Sequence, residues 1–523
     1  MKNLGLASIV AMLAVYCGIH AFAADILVDE GCSLPDAIRA ANTDEEVGGC
    51  SAGGGVDVIN LGEDVLLGAE LPQIASTIVI KGNNYSVNGQ GEHRIFYVLE
   101  SGMLRLENVT ISHGNATEFT LTDGDTVQHG GGIYNEGIVI VTNSEFQGNS
   151  TGQHGGAIYN NSGDLAVSHS TFSDNSSAAD GAAIYTDGSL AVADCVFVRN
   201  SAAEDGGAIK SSYRGTVSVS NSMFSNNSAS WGGAIYDWFG YLDVQNSTFA
   251  GNNADRGGAL VSSFQAKLSV DNSSFSQNSA RQGGAIYAIG ESLIAGSTFS
   301  NNLALAGGAI YGERELRIVL NAFSNNSAFE GGAIHNNGNL NLHRSTFRGN
   351  SADTSGGAIL NGLELSVTNS SFTENLAFRG GAIHSSDDGE NQSKVELTHV
   401  TLVNNSAELG GGVLVESMPA DGVNLYNSIV ANNSGSDCMG VLNNSARNLI
   451  EDGSCDAEFS GDPILGELVE PEDGSPAYFP LLAGSPAIDA ASSDFCADTD
   501  QIGTARPQGE GCDIGAIEFI PEN

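Results

Sequence analysis

The sequence predicts an all-β chain, a right-handed parallel β-helix (solenoid) of about 12–15 coils with a short N-terminal capping helix. Two in-phase motifs and one absence predict it. Gly-Gly-Ala-Ile, with small variations, begins at Gly130, Gly155, Gly181, Gly206, Gly232, Gly257, Gly283, Gly307, Gly331, Gly356, Gly380 and Gly410, mostly 24 to 26 residues apart. Phe-x-x-Asn runs in phase with it from Phe146/Asn149 to Phe372/Asn375, and Leu402/Asn405 and Val430/Asn433 continue it. No stretch between them offers ten residues of helical apolar periodicity, so helices are excluded there.

Residues 1–23 read as a secretory signal. Lys2 supplies the positive charge, Leu4 to Ile19 the apolar run, and Ala21-Phe22-Ala23 a small-x-small cleavage site. Residues 24–112 read as an N-terminal cap followed by the first, irregular coils. Ser33 is expected to N-cap a helix whose apolar face is Leu34, Ala37, Ile38 and Ala41. Such a helix covers the unpaired strand edges at which a solenoid must otherwise end. Val56–Leu61, Thr77–Ile80 and Leu104–Ile111 are expected to supply the early strands.

Residues 113–435 are the regular coils. In the unit Gly155–Asp180, three short β segments (Ala-Ile-Tyr, Leu-x-Val and the one around Thr-Phe) are separated by Gly, Asn, Ser and Asp. Those residues tolerate left-handed or tight turns. Stacking places each strand about 4.8 Å from its equivalent in the next coil. One coil cannot bury its apolar face alone, but a dozen in register can. The Asn of Phe-x-x-Asn is expected to pass hydrogen bonds between coils. The paired glycines are expected to supply positive φ or close packing. Residues 436–523 are expected to form a C-terminal capping region.

Cys32 and Cys50, Cys438 and Cys455, and Cys496 and Cys512 are local pairs outside the repeats, expected as disulfides in an oxidising compartment. Cys195 stands where sister coils carry Ser and is expected to be a small buried residue. The net charge, 19 − 62 = −43, excludes a nucleic-acid partner and disfavours anionic membranes. No Cys/His cluster, phosphate loop or calcium-caging nonapeptide is present, so no metal and no cofactor is expected.

Cys32-Ser33-Leu34-Pro35-Asp36-Ala37-Ile38 resembles the CSLREA-type segment of exported bacterial β-helix proteins, with Pro35 and Asp36 where that pattern has Arg and Glu. The GGAI and FxxN repeats resemble those of polymorphic outer-membrane proteins, surface proteins associated with adhesion. Gly484-Ser485-Pro486-Ala487-Ile488-Asp489 and Cys512-Asp513-Ile514-Gly515 resemble the end region of choice-of-anchor Q proteins. These resemblances imply an exported protein, secreted or at the outer membrane or cell surface of a Gram-negative-type bacterium. The polymorphic outer-membrane proteins resemble autotransporters with a C-terminal membrane barrel. Here the coils are followed by little sequence, and no integral membrane segment is expected after signal cleavage.

Two surfaces carry possible function. The turn around Trp238, Phe239 and Tyr241 is unusual among the repeats, and its neighbours carry Tyr213, Arg214, Phe264 and Lys267. Aromatic faces beside polar groups suit sugar rings. The residue after each motif Ile should point outward: Tyr134, Tyr159, Tyr185, Lys210 and Tyr236 begin that column. It reads either as a ladder that grips a polysaccharide or as strand residues packed under loops. Asp205, Lys210, Arg214, Asp237 and Asp255 come from successive coils and either converge or stand as solvated turn residues. No catalytic residue is assigned. The leading expectation is a non-enzymatic adhesin or glycan-binding surface protein whose partner is an extracellular polysaccharide or a cell-surface glycan or protein. A pectate-lyase-like polysaccharide lyase or glycoside hydrolase, and a structural spacer, are the alternatives.

Overall fold

Each coil closes because its corners fall on residues that accept left-handed backbone. In a computed structural model, which describes residues 23–116, 119–120, 126–212, 215–386, 394–416, 423–471 and 475–521, the chain is a parallel β-solenoid of about 14 turns with almost no helix. The expected signal segment, Tyr213 and Arg214 lie outside the described residues. The chain forms two compact units. One runs to Ala254 and includes Leu260–Lys267; the other comprises Asp255–Ala259 and Leu268–Asn523.

In the first unit the coil at Ile158 shows the pattern. Its strands are Ile158–Asn160, Asp164–Ser168 and Thr171–Ser173. Two of the corners are His169 at φ 50° and Asp174 at φ 56°, the left-handed region that polar turn residues and glycine tolerate best. Parallel pairing sets Ile158 against Ile184, Leu165 against Leu190 and Phe172 against Phe197. The Phe rings stack with centroids 4.7–4.9 Å apart from Phe146 to Phe249. A second column in the other unit, Phe275 to Phe372, repeats this at 4.5–4.8 Å. All ten rings are fully buried.

The motif asparagines do what their position demands. From Asn149 through Asn175, Asn200 and Asn227 to Asn252, each backbone N–H and each Nδ2 donates to the next Oδ1 at 2.9–3.1 Å. The same Nδ2 donates to the carbonyl of the preceding coil's core residue, Phe172 for Asn200 (3.0 Å). In the other unit the ladder ends on Asp437, whose Oδ1 accepts from Asn433 Nδ2 at 3.0 Å. The two glycines divide the expected roles between them. Gly206 has φ 66°, and a Cβ built at Gly207 would collide with the carbonyl oxygen of Gly233 in the next coil.

A shorter ladder of hydroxyls joins the neighbouring corner, where Ser144 N–H donates to Ser170 Oγ and Ser222 N–H to Ser247 Oγ, both 3.1 Å. Cys195 occupies this column: its amide donates to Ser222 Oγ and its buried thiol points at the Ala193 carbonyl, as Ser does elsewhere. Burial pushes that thiol up to about 11.

Helix α1 (Leu34–Thr43) is capped by Ser33, whose Oγ accepts from the Asp36 amide, and it buries Leu34, Ala37, Ile38 and Ala41 as expected, with Ala40 in addition. A strand not anticipated from the sequence, Ala23–Val28, pairs with Val56–Leu61. The three disulfides join Cys32 to Cys50, Cys438 to Cys455 and Cys496 to Cys512. The chain after residue 475 lies along the outer flank of coils in its own unit. Arg344 Nε donates to the Gln501 carbonyl, and the Ala516 amide to Thr401 Oγ1. Apolar residues Leu481, Ala487 and Ile514 pack there on Val403 and Ile429.

Replacing Asn200 by Ala removes four side-chain hydrogen bonds and leaves donors of Asn175 and the Phe172 carbonyl buried without their partner. At about 1–3 kcal/mol for each buried group left unsatisfied, the loss is expected to exceed 3 kcal/mol. Hydrogen exchange should show the loosening centred on the coils of Asn175 and Asn227; unchanged protection there would contradict the ladder's role.

Candidate functional site

The turn Trp238-Phe239-Gly240 joins the strands Ile235–Asp237 and Tyr241–Gln245. Backbone bonds hold it between the equivalent turns of adjacent coils. Trp238 N–H donates to the Ser211 carbonyl at 3.1 Å, Ser263 N–H to Asp237 at 3.0 Å and Lys267 N–H to Gly240 at 3.0 Å. Trp238, Tyr241 and Phe264 are 43%, 42% and 54% exposed. Phe239 is half-buried with its ring 5.6 Å from that of Trp238, and Lys267 is exposed. Five of the seven residues expected in this patch therefore lie on neighbouring turns. The other two, Tyr213 and Arg214, are the ones outside the described residues.

The column after the motif Ile differs from a polysaccharide-gripping ladder. Tyr134, Tyr159 and Tyr236 are buried, at 2%, 9% and 3% exposure. The cover comes from the residue just before each Gly-Gly. His129 stacks on Tyr159 with centroids 4.3 Å apart, and His154 lies 4.8 Å from Tyr185. Strand alternation turns these tyrosines out of the inner core, and the preceding turn then closes over them. The packed reading holds, and the gripping ladder is corrected.

The covering residues form a ladder of their own. His154 N–H donates to His129 Nδ1 and Asp180 N–H to His154 Nδ1, both 3.3 Å, and Asp205 N–H donates to Asp180 Oδ1 at 3.0 Å. Accepting at Nδ1 keeps both imidazoles neutral with the proton on Nε2. Burial favours the same state, pulling His129 down to about 3 and His154 below its ordinary value. Burial, with the negative charge of Asp205, raises the Asp180 carboxyl, against an opposing pull from Lys210.

Lys210 replaces Tyr in the covered column and is 4% exposed. Its Nζ lies 2.8 Å from Asp205 Oδ2, 3.4 Å from the Tyr236 ring centroid and 5.0 Å from that of Trp238. Burial lowers its pKa; Asp205, Asp180 and Asp237 oppose that. Asp237 is fully buried on the next rung, where its Oδ1 accepts from the Gly240 amide at 3.2 Å. Of the charged residues expected to converge, Asp205, Lys210 and Asp237 do so, and they are not solvated turn residues. Arg214 is outside the described residues, and Asp255 belongs to the other compact unit. The sequence reading missed His154 and Asp180. Their one signal was the repeated polar residue immediately before the glycine pair.

Six segments of the chain match the Chlamydia polymorphic membrane protein repeat: residues 143–161, 169–187, 221–237, 272–289, 296–313 and 344–362. Each runs from a left-handed corner through the core strand and its Asn to the Gly-Gly strand or just beyond it, so the match covers the mechanics of the coil. Lys210 and Asp205 lie outside the matched segments, as do Trp238, Phe239, Tyr241, Phe264 and Lys267. No curated protein matches the chain.

Desolvation pushes Asp237 up to about 6 from 3.8, although the Gly240 amide, Ser211 and Lys210 favour its charge. The folded state therefore holds this proton more tightly than the unfolded state, and stability falls as pH rises between those values. Above pH 6 the penalty is about 3 kcal/mol. Sister coils carry Asn at this rung, as Asn135 and Asn160. Asp237→Asn is expected to raise the unfolding midpoint at pH 8 and leave it nearly unchanged at pH 4. Equal shifts at both pH values would contradict the buried charge.

Proposed function

We propose that this chain, a β-helix protein carrying polymorphic membrane protein repeats, is an exported adhesin-type protein that acts at the cell surface by binding glycans through the turn at Trp238. The repeats support the surface assignment. The observation that carries the ligand class is the joint exposure of Trp238, Tyr241 and Phe264 on two neighbouring turns, whereas Tyr85, Phe329 and Phe378, which are exposed to a similar degree, have no second exposed aromatic on an adjacent turn. Exposed aromatic faces of this kind pack against the apolar face of a sugar ring while polar neighbours take its hydroxyls.

Charge narrows the ligand. At a net −43, with only Lys81, Lys210, Lys267 and Lys394 as lysines after the signal, the surface repels polyanions. An uncharged or cationic polysaccharide fits it better than a uronan or a sulfated polymer. Substituting Trp238 and Phe239 by Ala together removes two ring faces worth about 1 kcal/mol each. A glycan array followed by titration is expected to show a loss on the order of thirtyfold for the glycans bound by the unaltered protein. Binding untouched by the double substitution would remove the turn from the interface, and a blank array together with a blank cell-adhesion assay would leave a structural spacer.

A further inference from the structure

In the unit that holds Leu268–Asn523, exposed apolar side chains gather on one corner of the coils. Leu303, Leu305, Phe329, Leu376 and Phe378 are 45–56% exposed. They stand between a ladder Asn and the glycine pair on three of four successive coils. Backbone pairing sets them in two columns. The first, bridged from rung to rung, runs Ser279, Leu303, Ser327, Ser351, Leu376, Ser406. The second runs Arg281, Leu305, Phe329, Asp353, Phe378, Glu408. Along it Leu305 N–H donates to the Arg281 carbonyl, Phe329 N–H to Leu305 and Glu408 N–H to Phe378, at 3.0–3.1 Å. At Asp353 the coil carries an extra residue, and Thr354 Oγ1 donates to the Phe329 carbonyl at 2.8 Å. Earlier coils place Ala203, Ser230 and Asp255 at the second position, small or charged residues throughout. A contiguous exposed apolar surface marks an interaction site.

We propose that this face joins two copies of the chain, antiparallel, about a twofold axis. The axis lies in the contact plane, runs across the coils and passes between the rungs of Ser327 and Ser351. It lays each column on itself in reversed order. The first column is a palindrome of Ser and Leu, so Leu303 meets Leu376 of the second copy. The second column has a cation at one end and an anion at the other, with large apolar residues on the rungs next to them. Leu305 therefore meets Phe378 of the second copy, and Arg281 meets its Glu408. Each of these pairings occurs twice. Charge selects the arrangement: a parallel pair would oppose Arg281 to Arg281 and Glu408 to Glu408. Burial of the apolar side chains supplies the attraction, and the charged ends set direction and register. The net charge of −43 on each copy opposes association until salt screens it. Six rungs span about 24 Å, a short contact that suits a micromolar equilibrium. The face shares no residue with the Trp238 turn, so neither reading depends on the other.

Sedimentation equilibrium of the full disulfide-bonded chain, up to about 100 µM and between about 0.1 and 0.5 M salt, is expected to show a monomer–dimer equilibrium that tightens as salt rises. Phe378→Ser removes an exposed ring that enters the contact twice, and it should weaken association on the order of 100-fold with the thermal midpoint unchanged. Leu305→Ser is the second variant should Phe378→Ser fail to fold, and it should weaken the dimer in the same way. Arg281→Glu sets glutamate against Glu408 at both ends and should cost roughly tenfold; adding Glu408→Arg restores the pairing in swapped order, and association should return. A monomer at every concentration and salt overturns the proposal, as does a dimer indifferent to both serine variants. A dimer unchanged by Arg281→Glu, or weakened by it and not recovered with Glu408→Arg, overturns the antiparallel pairing. Glycans or lipid vesicles that bind a chain which stays monomeric, and are lost with Phe378→Ser, give the face to another occupant and overturn it too.

Discussion

The molecule depends on one constraint: a backbone that turns inside its own core must find partners for the groups the sheets leave unpaired. Asparagine at the motif corner meets it twice over. Its amide group accepts two hydrogen bonds from the coil before and donates to a core carbonyl of that coil and to the Asn of the coil after. Because both ends of the side chain are committed, the vertical register is fixed at every rung. The stacked Phe rings, the close approach at the second glycine and the hydroxyl ladder follow from that register. A slip of one residue would expose the rings and strand the amides.

With the inner face so constrained, variation is left to the outer positions. The residue before the glycine pair and the residue after the Ile are each free to change from coil to coil, and together they decide what a coil presents. Histidine over tyrosine gives a closed, neutral surface around His129 and Tyr159. Aspartate over lysine at Asp205 and Lys210 gives a charged one. Where the turn itself carries Trp238 and Phe239, the same scaffold presents aromatic faces to solvent. One set of corner bonds thus supports chemically distinct surfaces along a uniform core.

This division explains which features were legible in the sequence. The core, the ladder asparagines and the Ser-like role of Cys195 are imposed identically in every coil, so twelve repeats spell them out. Helix α1 was legible because Ser33 and its apolar face are local signals. The cover over Tyr159 was not: strand alternation says only that the side chain leaves the inner core, and the covering residue arrives from a preceding turn. Likewise Asp180 acquires its surroundings from His154 and Asp205, about one coil away in each direction, where no local pattern points. The strand Ala23–Val28 was hidden by its adjacency to the expected signal. The landing place of the chain after residue 475 depends on contacts such as that of Gln501 with Arg344, which no spacing encodes.

The corner bonds also have a genetic consequence. Each ladder Asn needs only another Asn one coil away, never a particular Asn, so neighbouring coils in the run from Asn149 to Asn252 are interchangeable as partners. Unequal recombination that deletes or duplicates one whole repeat of DNA reconnects the ladder without any compensating substitution. An exchange out of phase leaves an amide facing no amide and is lost with the fold. Selection at the protein level therefore tolerates changes in repeat number and filters those in repeat phase, and whatever an outer column displays is lengthened, shortened or shuffled in steps of one coil.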